Sequence, residues 1–158
     1  LCTFRGLPHR VEPIATVDGV MYYNDSKGTN VGSTVAALTG FAKQLAGTPA
    51  HVILIAGGDG KGQNFAPLRS VVDQVARAVV LIGRDGPRIG AAIAGTRAPL
   101  HYAASMREAI ELARAAAQSG DIVLLSPACA SFDMFNNYKH RGEVFAQTVL
   151  ALPHAERS

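Results

Sequence analysis

The sequence predicts a doubly wound α/β fold, with about five parallel strands, one antiparallel edge strand and helices on both faces of the sheet. Three observations support this prediction. Short aliphatic runs alternate with segments of helical periodicity, which is the pattern of parallel strands joined by crossover helices. Alanine, valine, isoleucine and glycine are abundant, as expected for a buried sheet covered by alanine-faced helices. The 158 residues are enough for one domain with one core.

The first part of the chain predicts a hairpin followed by a helix. Residues 1–9 show no periodicity and are interpreted as a connector. Asp18-Gly19 separates two extended runs, and this dipeptide is a strong signal for a two-residue hairpin turn. After a polar loop at 24–30, apolar residues recur at helical spacing. They are Val35, Leu38, Phe41 and Leu45.

The remainder of the chain repeats a strand–helix unit. Strands are predicted at 51–58, 76–83, 98–103 and 121–128. Helices are predicted around 67–76, within 84–95, from Ser105 onwards, and as a pair of stretches within 131–152. Ser105 and Glu108 have the spacing of a capping box, which places a helix start at Ser105. The tail, residues 153–158, is expected to be frayed.

Composition and charge argue against several classes of function. The net charge is +3 and the basic residues are scattered, which suits small anionic ligands and gives little support to nucleic-acid binding. No apolar run approaches the roughly 18 residues of a membrane span. Cys2 and Cys129 have neither a disulfide framework nor a metal-binding spacing, so we expect a reducing, cytoplasmic location and no metal site in this chain.

Polar and glycine-rich loops follow one predicted strand after another. Because the carboxyl ends of parallel strands meet at one edge of a sheet, these loops are expected to form a binding site there. Glycine, Asp and Asn are also ordinary turn residues, so the set carries more weight than any one loop. The loops are 24–30, 57–61, 83–86 and 126–131.

The loop AGGDGKG at 56–62 is not a phosphate-binding loop. Only two residues separate Gly57 from Gly60, where a P-loop has four between its glycines, and Lys61 is followed by glycine where a P-loop needs Ser or Thr. Asp59 would also repel a polyphosphate wrapped closely by the loop. We therefore interpret Lys61 as a point charge for one carboxylate or one phosphate oxygen, with a solvated loop lysine as the alternative.

The loop NDSKGTN offers a second polar cluster. Thr29 and Asn30 precede a helix and could cap it, leaving backbone N–H groups open to an anion. Asp25 could accept hydrogen bonds from ribose hydroxyls or hold Lys27 in an ion pair. A helix cap with a surface ion pair is the alternative interpretation of this loop.

In the last loop, Cys129 is interpreted as a small buried residue and not as a nucleophile, because no histidine has a spacing that selects it as a base. Ser131 is expected to cap the following helix, with its hydroxyl facing the site. None of the five histidines is assigned to catalysis.

Five blocks occur in order along the chain: LPHR, YYNDSKGTN, AGGDGKG, LIGRD and LLSPACASFDMFNNYKHRGEVF. From Gly6 to about Leu150 the chain resembles the carboxy-terminal domain of the Mur ligases, in particular the members that add D-glutamate to UDP-N-acetylmuramoyl-L-alanine. The resemblance implies a Rossmann-like amino-acid-binding domain at 10–152. Residues 1–9 would then be the hinge from a central ATPase domain.

The resemblance also implies a reaction in peptidoglycan precursor synthesis. ATP would phosphorylate the substrate carboxylate, the amine of D-glutamate would attack the acyl phosphate, and ADP and phosphate would leave. ATP and Mg²⁺ would be bound mostly by the central domain. The chain alone is therefore expected to be inactive, with the other two domains of the same ligase as its partners and no nucleic acid or membrane involved.

The resemblance also implies a role for individual residues. Two positions depart from the pattern: Tyr138 stands where phenylalanine is expected, and Asn136 where lysine is common. Lys27 would support Asp25 or face the acyl phosphate. Arg10 would reach a phosphate of the nucleotide, and Asp25 its ribose. The residues expected to hold D-glutamate are Thr29, Lys61, Ser131, Phe132 and Tyr138.

Two other functions remain as alternatives. One is a free-standing Rossmann-type module for a nucleotide or a small anion, which would be stabilised by NAD or ADP but not by D-glutamate. The other is a hydrolase or transferase that uses Cys129, which would lose activity when that thiol is alkylated.

Overall fold

A computed structural model of the chain describes residues 11–131 and 134–158. None of the helices in these two ranges is long and apolar enough to cross a bilayer. The elements are, in chain order, β1 (Glu12–Val17), β2 (Val20–Asn24), α1 (Val31–Gln44), β3 (Val52–Gly57), α2 (Leu68–Val75), β4 (Ala76–Ile82), α3 (Gly86–Ala92), β5 (Leu100–Tyr102), α4 (Met106–Ala116), β6 (Ile122–Leu125), α5 (Tyr138–Leu150) and β7 (Glu156–Arg157).

The strands form one sheet in the order β5-β4-β3-β6-β2-β1-β7. The five strands from β5 to β2 are parallel, and the hairpin at Asp18-Gly19 returns β1 antiparallel to β2. The predicted fold class is thus confirmed.

The tail contributes a strand that the sequence did not indicate. Where fraying was expected, Glu156 and Arg157 pair antiparallel with β1, and the amide of Ser158 donates to the carbonyl of Ile14. The physical reason is that β1 would otherwise present a row of unpaired backbone groups at the edge of the sheet.

Two hydrophobic layers cover the parallel strands, one on each face. Leu54 and Ala56 of β3 face the layer that includes Leu38 of α1 and Val72 of α2. Ile53 and Ile55 of the same strand face the layer of α4 and α5, which includes Ile110 and Phe145. Successive side chains of a strand point to opposite faces, so a strand buried on both faces is apolar throughout. This explains why the run VILIA has no polar residue.

Side-chain caps begin three of the helices. Asn30 accepts from the amide of Ser33 at α1, and Ser105 accepts from the amide of Glu108 at α4, as the capping signal predicted. Asn137 accepts from the amide of His140 and caps α5. In the described part of 131–152 there is therefore one helix and not the expected pair. Asn137, not Ser131, supplies its cap.

Asp121 joins three segments at the amino edge of the sheet, opposite the predicted site. Its side chain is buried and forms an ion pair with Arg77, with 2.6 Å between Oδ2 and Nε. The amides of His51 and Gln118 donate to the two carboxylate oxygens at 2.9 Å each. Burial raises the pKa of Asp121, but these hydrogen bonds and the Arg77 charge outweigh it and lower the pKa below 3.8.

Asp121→Asn is expected to lower the free energy of unfolding by about 2 kcal/mol at pH 7. This is less than for a fully buried pair because Arg77 reaches solvent. Since the folded-state pKa is depressed, the contribution of Asp121 is full above its ordinary value of 3.8 and is lost as pH falls through the lowered value. Urea unfolding at pH 7 and pH 3 measures both effects, with Glu143→Gln, at an exposed carboxylate of α5, as the control. If the free energy of unfolding differed between the two proteins by the same amount at pH 7 and pH 3, this account would be contradicted.

Candidate functional site

The carboxyl ends of β3 and β6 are fastened to each other by their loops. The β3 loop is residues 58–64 and the β6 loop is residues 126–131. Asp59 and Ala130 exchange two backbone hydrogen bonds, of 3.0 and 2.9 Å, as in an antiparallel pair. The amide of Gly57 donates to the carbonyl of Pro127 at 2.9 Å. These backbone hydrogen bonds fix the position of the two loops relative to each other.

The neighbouring loops are attached to this pair. From the β4 loop, residues 83–85, the amide of Asp85 donates to the carbonyl of Gly58 at 2.9 Å. The carboxylate of Asp85 accepts from the amide of Gly60 at 2.7 Å. In the β2 loop, residues 25–30, the carbonyl of Gly28 accepts from the amide of Ala128 at 2.9 Å. The four loops predicted to meet at this edge are therefore bonded into one surface.

Glycine is required at the exit of β3. Gly57 has a φ of +130°, and a Cβ added there would lie 1.9 Å from the carbonyl oxygen of Ile82 in β4. At Gly60 an added Cβ would lie 2.5 Å from the ring of Phe65. Real Cβ atoms do not approach other atoms so closely, so the backbone of Ile82 excludes a side chain at position 57, and a side chain at position 60 would require the ring of Phe65 to move.

Lys61 is exposed and has a left-handed backbone, with a φ of +50°. Its amide donates to the carboxylate of Asp59 at 3.1 Å, so Asp59 stabilises the turn that carries the lysine. A non-glycine residue in this region of backbone space is uncommon and is often found where a side chain must be aimed.

Asp25 is a fixed, buried carboxylate at the end of β2, only 4% exposed. One of its oxygens accepts from the amide of Val11 at 3.2 Å, and the other from the hydroxyl of Ser126 at 2.8 Å. Thr34 of α1 in turn donates to the carbonyl of Ser126 at 3.1 Å. A cavity of about 390 Å³ opens beside this network, lined by Val11, Asp25, Lys27, Gly28, Ser33, Ala36 and Ala37.

Lys27 lies beside an aromatic ring. Its Nζ is 5.8 Å from the ring centroid of Tyr138, within the range of a cation–π contact. Among the residues that the structure describes, no salt bridge joins Lys27 to Asp25. In the described part of the chain, Lys27 therefore contacts Tyr138 and forms no ion pair with Asp25.

The start of α1 is more fully bonded than the sequence suggested. Thr29 is half-buried, and its amide donates to the carbonyl of Lys27 at 2.8 Å. The amide of Ser33 donates to Asn30, and the amide of Val31 donates to the side chain of Gln63, both at 2.9 Å. Two of the first three helix N–H groups are thus not open to an anion.

Ser131 and Tyr138 lie at the two ends of the segment that follows β6. Ser131 is buried, and its carbonyl accepts from the amides of Met134 and Phe135. Tyr138 is the first residue of α5, and its carbonyl accepts from the hydroxyl of Ser26 at 2.6 Å. The predicted site residues Arg10 and Phe132 lie outside the described residues.

Cys129 is fully buried, and its carbonyl accepts from Arg141 at 2.9 Å. A nucleophile must reach its substrate, so this burial favours the structural interpretation of Cys129. Within 11–131 and 134–158, no group of three or more His, Cys, Asp or Glu side chains is placed to bind a metal.

Two residues that organise the site were not singled out from the sequence. Arg141 of α5 is buried, and its guanidinium donates to the hydroxyl and carbonyl of Ser26 as well as to Cys129, which ties the β2 loop to the β6 loop. Its position four residues before the buried Phe145 on the same helix was a usable signal, because an arginine on an apolar face needs buried partners. The other residue is Gln63, for which no sequence signal was present.

Comparison with known proteins decides the family. Residues 9–129 match the family model described as Mur ligase, glutamate ligase domain. The chain belongs to the Mur ligase family. It is 59% identical over 94% of its length to UDP-N-acetylmuramoylalanine--D-glutamate ligase from Ralstonia nicotianae, and 56% identical over 96% to the ligase of the same name from Nitrosomonas eutropha. It spans 28% and 31% of these two Mur ligases.

Solved structures of Mur ligases have the same fold. A murein peptide ligase from Psychrobacter arcticus matches 94% of this chain with a TM-score of 0.63 and 15% identity, and 31% of that protein is covered. A MurF ligase from Thermotoga maritima in complex with ADP matches 92% of this chain with a TM-score of 0.59 and 14% identity, and 32% of that protein is covered.

Proposed function

We propose that this Mur ligase domain binds D-glutamate for a ligase that adds it to UDP-N-acetylmuramoyl-L-alanine in cytoplasmic peptidoglycan precursor synthesis. The names of the relatives at 59% and 56% identity support the substrate. The intact ligase would use ATP, form an acyl phosphate and release ADP and phosphate. Residues 1–9 would connect this domain to the ATPase domain, and 10–152 would form the amino-acid-binding domain.

The observation that carries the proposal is the bridge between Asp59 and Ala130. Lys61 follows this bridge by two residues and Ser131 by one, so the backbone segments that carry a cation and a hydroxyl both begin at the same point of the sheet edge. D-glutamate brings two carboxylates, and charge-assisted bonds from an ammonium and a hydroxyl are their natural counterparts. Thr29, Phe132 and Tyr138 would complete the pocket.

The cavity beside Asp25 is proposed as this domain's half of the nucleotide site. A fixed carboxylate is suited to accept hydrogen bonds from two ribose hydroxyls, and the two alanines of α1 leave room beside it. Arg10 would reach a phosphate. The central domain would bind most of the ATP and the Mg²⁺. ATP would supply the phosphoryl group, and Mg²⁺ would neutralise part of its negative charge.

In this proposal the chain's own residues act by binding and orientation. Lys61 and Ser131 hold the carboxylates, which leaves the amine of D-glutamate to face the acyl phosphate. Lys27, which lies beside Tyr138, would stabilise negative charge on the transferred phosphate. Holding the amine close to the acyl carbon converts a bimolecular step into an intramolecular one.

The full-length ligase tests this function directly. With ATP, Mg²⁺ and UDP-N-acetylmuramoyl-L-alanine, phosphate release and amide formation should depend on D-glutamate and not on L-glutamate, glycine or D-alanine. The isolated chain should form no amide, since it has no phosphate loop. Amide formation by the isolated chain, or equal turnover with another amino acid, would contradict the proposal.

Asp25→Asn in the full-length ligase is expected to raise the KM for ATP about tenfold, because it removes a charged acceptor of the ribose while keeping the shape of the side chain. The KM for D-glutamate should stay within about twofold of the unmutated value. Steady-state kinetics with each substrate varied in turn measures both, and Asp73→Asn is the control. An effect on D-glutamate alone would show that Asp25 does not serve the nucleotide.

A further inference from the structure

Gln63 joins three segments of the site with one side-chain amide. Its Oε1 accepts from the amide of Val31, the first residue of α1, at 2.9 Å. Its Nε2 donates to the carbonyls of Gly60 and Ala128, at 3.0 and 2.9 Å. These partners lie in the β3 loop, the β6 loop and the start of the helix after the β2 loop. The side chain therefore uses both its donor and its acceptor ends to fix their spacing.

Each partner of Gln63 lies close in sequence to a residue proposed to hold D-glutamate. Val31 is two residues after Thr29, Gly60 is directly before Lys61, and Ala128 is three residues before Ser131. We infer that Gln63 is a positioning residue that sets the distance between the cation and the hydroxyls that bind the acidic amino acid. This inference rests on the proposed function.

The backbone of Gln63 is itself held in place. Its amide donates to the carbonyl of Gly60 at 3.0 Å, and its carbonyl accepts from the guanidinium of Arg88 at 3.0 Å. That guanidinium lies 5.2 Å from the ring centroid of Phe65, a cation–π contact. A side chain on a fixed backbone loses less entropy when it bonds, so its three contacts can determine the loop spacing.

Glutamine alone satisfies this arrangement. Reversing the amide would place its NH₂ group against the N–H of Val31 and its oxygen against two carbonyls. Glutamate keeps the acceptor for Val31 but has no donor for Gly60 and Ala128. Methionine has a similar length and fills the space but makes none of the three bonds. Methionine therefore removes the hydrogen bonds while keeping the volume of the side chain.

The test uses the full-length ligase with Gln63→Met. The KM for D-glutamate is expected to rise about tenfold, the size expected when two or three neutral hydrogen bonds are lost. The KM for ATP and kcat at saturating D-glutamate should stay within about twofold, because none of the residues that line the cavity beside Asp25 is a hydrogen-bond partner of Gln63. Gln147→Met, at an exposed glutamine of α5, is the matched control and should change nothing.

Thermal unfolding of each variant shows whether it is folded, so that a change in KM can be assigned to the spacing of the loops and not to loss of the fold. If Gln63→Met does not fold, Gln63→Asn decides by the same KM criterion, since it keeps the amide and adds no charge but is one methylene too short to reach all three partners. An unchanged KM for D-glutamate, or an equal rise for D-glutamate and ATP, would overturn the inference while the proposed function stands. Absence of D-glutamate-dependent turnover in the unmutated ligase would overturn both.

Discussion

Lys61→Ala in the full-length ligase should raise the KM for D-glutamate about 10- to 150-fold. The substitution removes a charge-assisted bond to a carboxylate, which contributes about 1.5–3 kcal/mol. Alanine keeps the Cβ, so the left-handed backbone at this position is equally strained before and after the change. The KM for ATP should change by less than about twofold. Initial rates of phosphate release, with each substrate varied in turn, measure both quantities.

Lys43→Ala is the matched control, because Lys43 is an exposed lysine in the last turn of α1, at the far end of that helix from the site. Its kinetics should equal those of the unmutated ligase. An unchanged KM for D-glutamate in Lys61→Ala would show that Lys61 does not bind D-glutamate. The solvated loop lysine considered from the sequence would then be the correct interpretation.

Gly57→Ala is expected to lower the free energy of unfolding by about 3–5 kcal/mol. The added methyl would lie 1.9 Å from the carbonyl oxygen of Ile82, the residue of β4 that pairs with Gly57. Both strands are central in the sheet and buried on both faces, so neither can move without disturbing the two hydrophobic layers. The urea midpoint of the purified protein measures the loss.

Gly47→Ala separates crowding from backbone strain. Gly47 also has a positive φ, +80°, but nothing lies within 4 Å of an added Cβ. Only the left-handed penalty applies there, about 1–2 kcal/mol. Equal losses for the two variants would mean that the contact with Ile82 has no effect, and that the exit of β3 tolerates a side chain.

Local signals account for the elements that the sequence predicted. Asp18-Gly19 marks the hairpin, Asn30 and Ser105 mark two helix starts, and the apolar run of β3 marks a strand buried on both faces. Each signal involves residues within about four positions of one another. The carboxyl-edge site followed from these strands, since parallel strands bring the loops after them together.

The remaining features depend on contacts between distant residues. β6 lies between β3 and β2, and nothing local in the sequence selects that order. Gln63 contacts residues 32 and 65 positions away, and Arg141 contacts Ser26 across 115 positions. A polar loop residue looks the same in sequence whether it is solvated or bonded across the site, so its role becomes visible only in three dimensions.

The central claim is that the ammonium of Lys61 binds a carboxylate of D-glutamate. A crystal structure of the full-length ligase soaked with D-glutamate measures this directly. The account predicts density for the amino acid with a carboxylate oxygen about 3 Å from Nζ of Lys61, beside Ser131. Density for D-glutamate elsewhere in the ligase, with none next to Lys61, would contradict it.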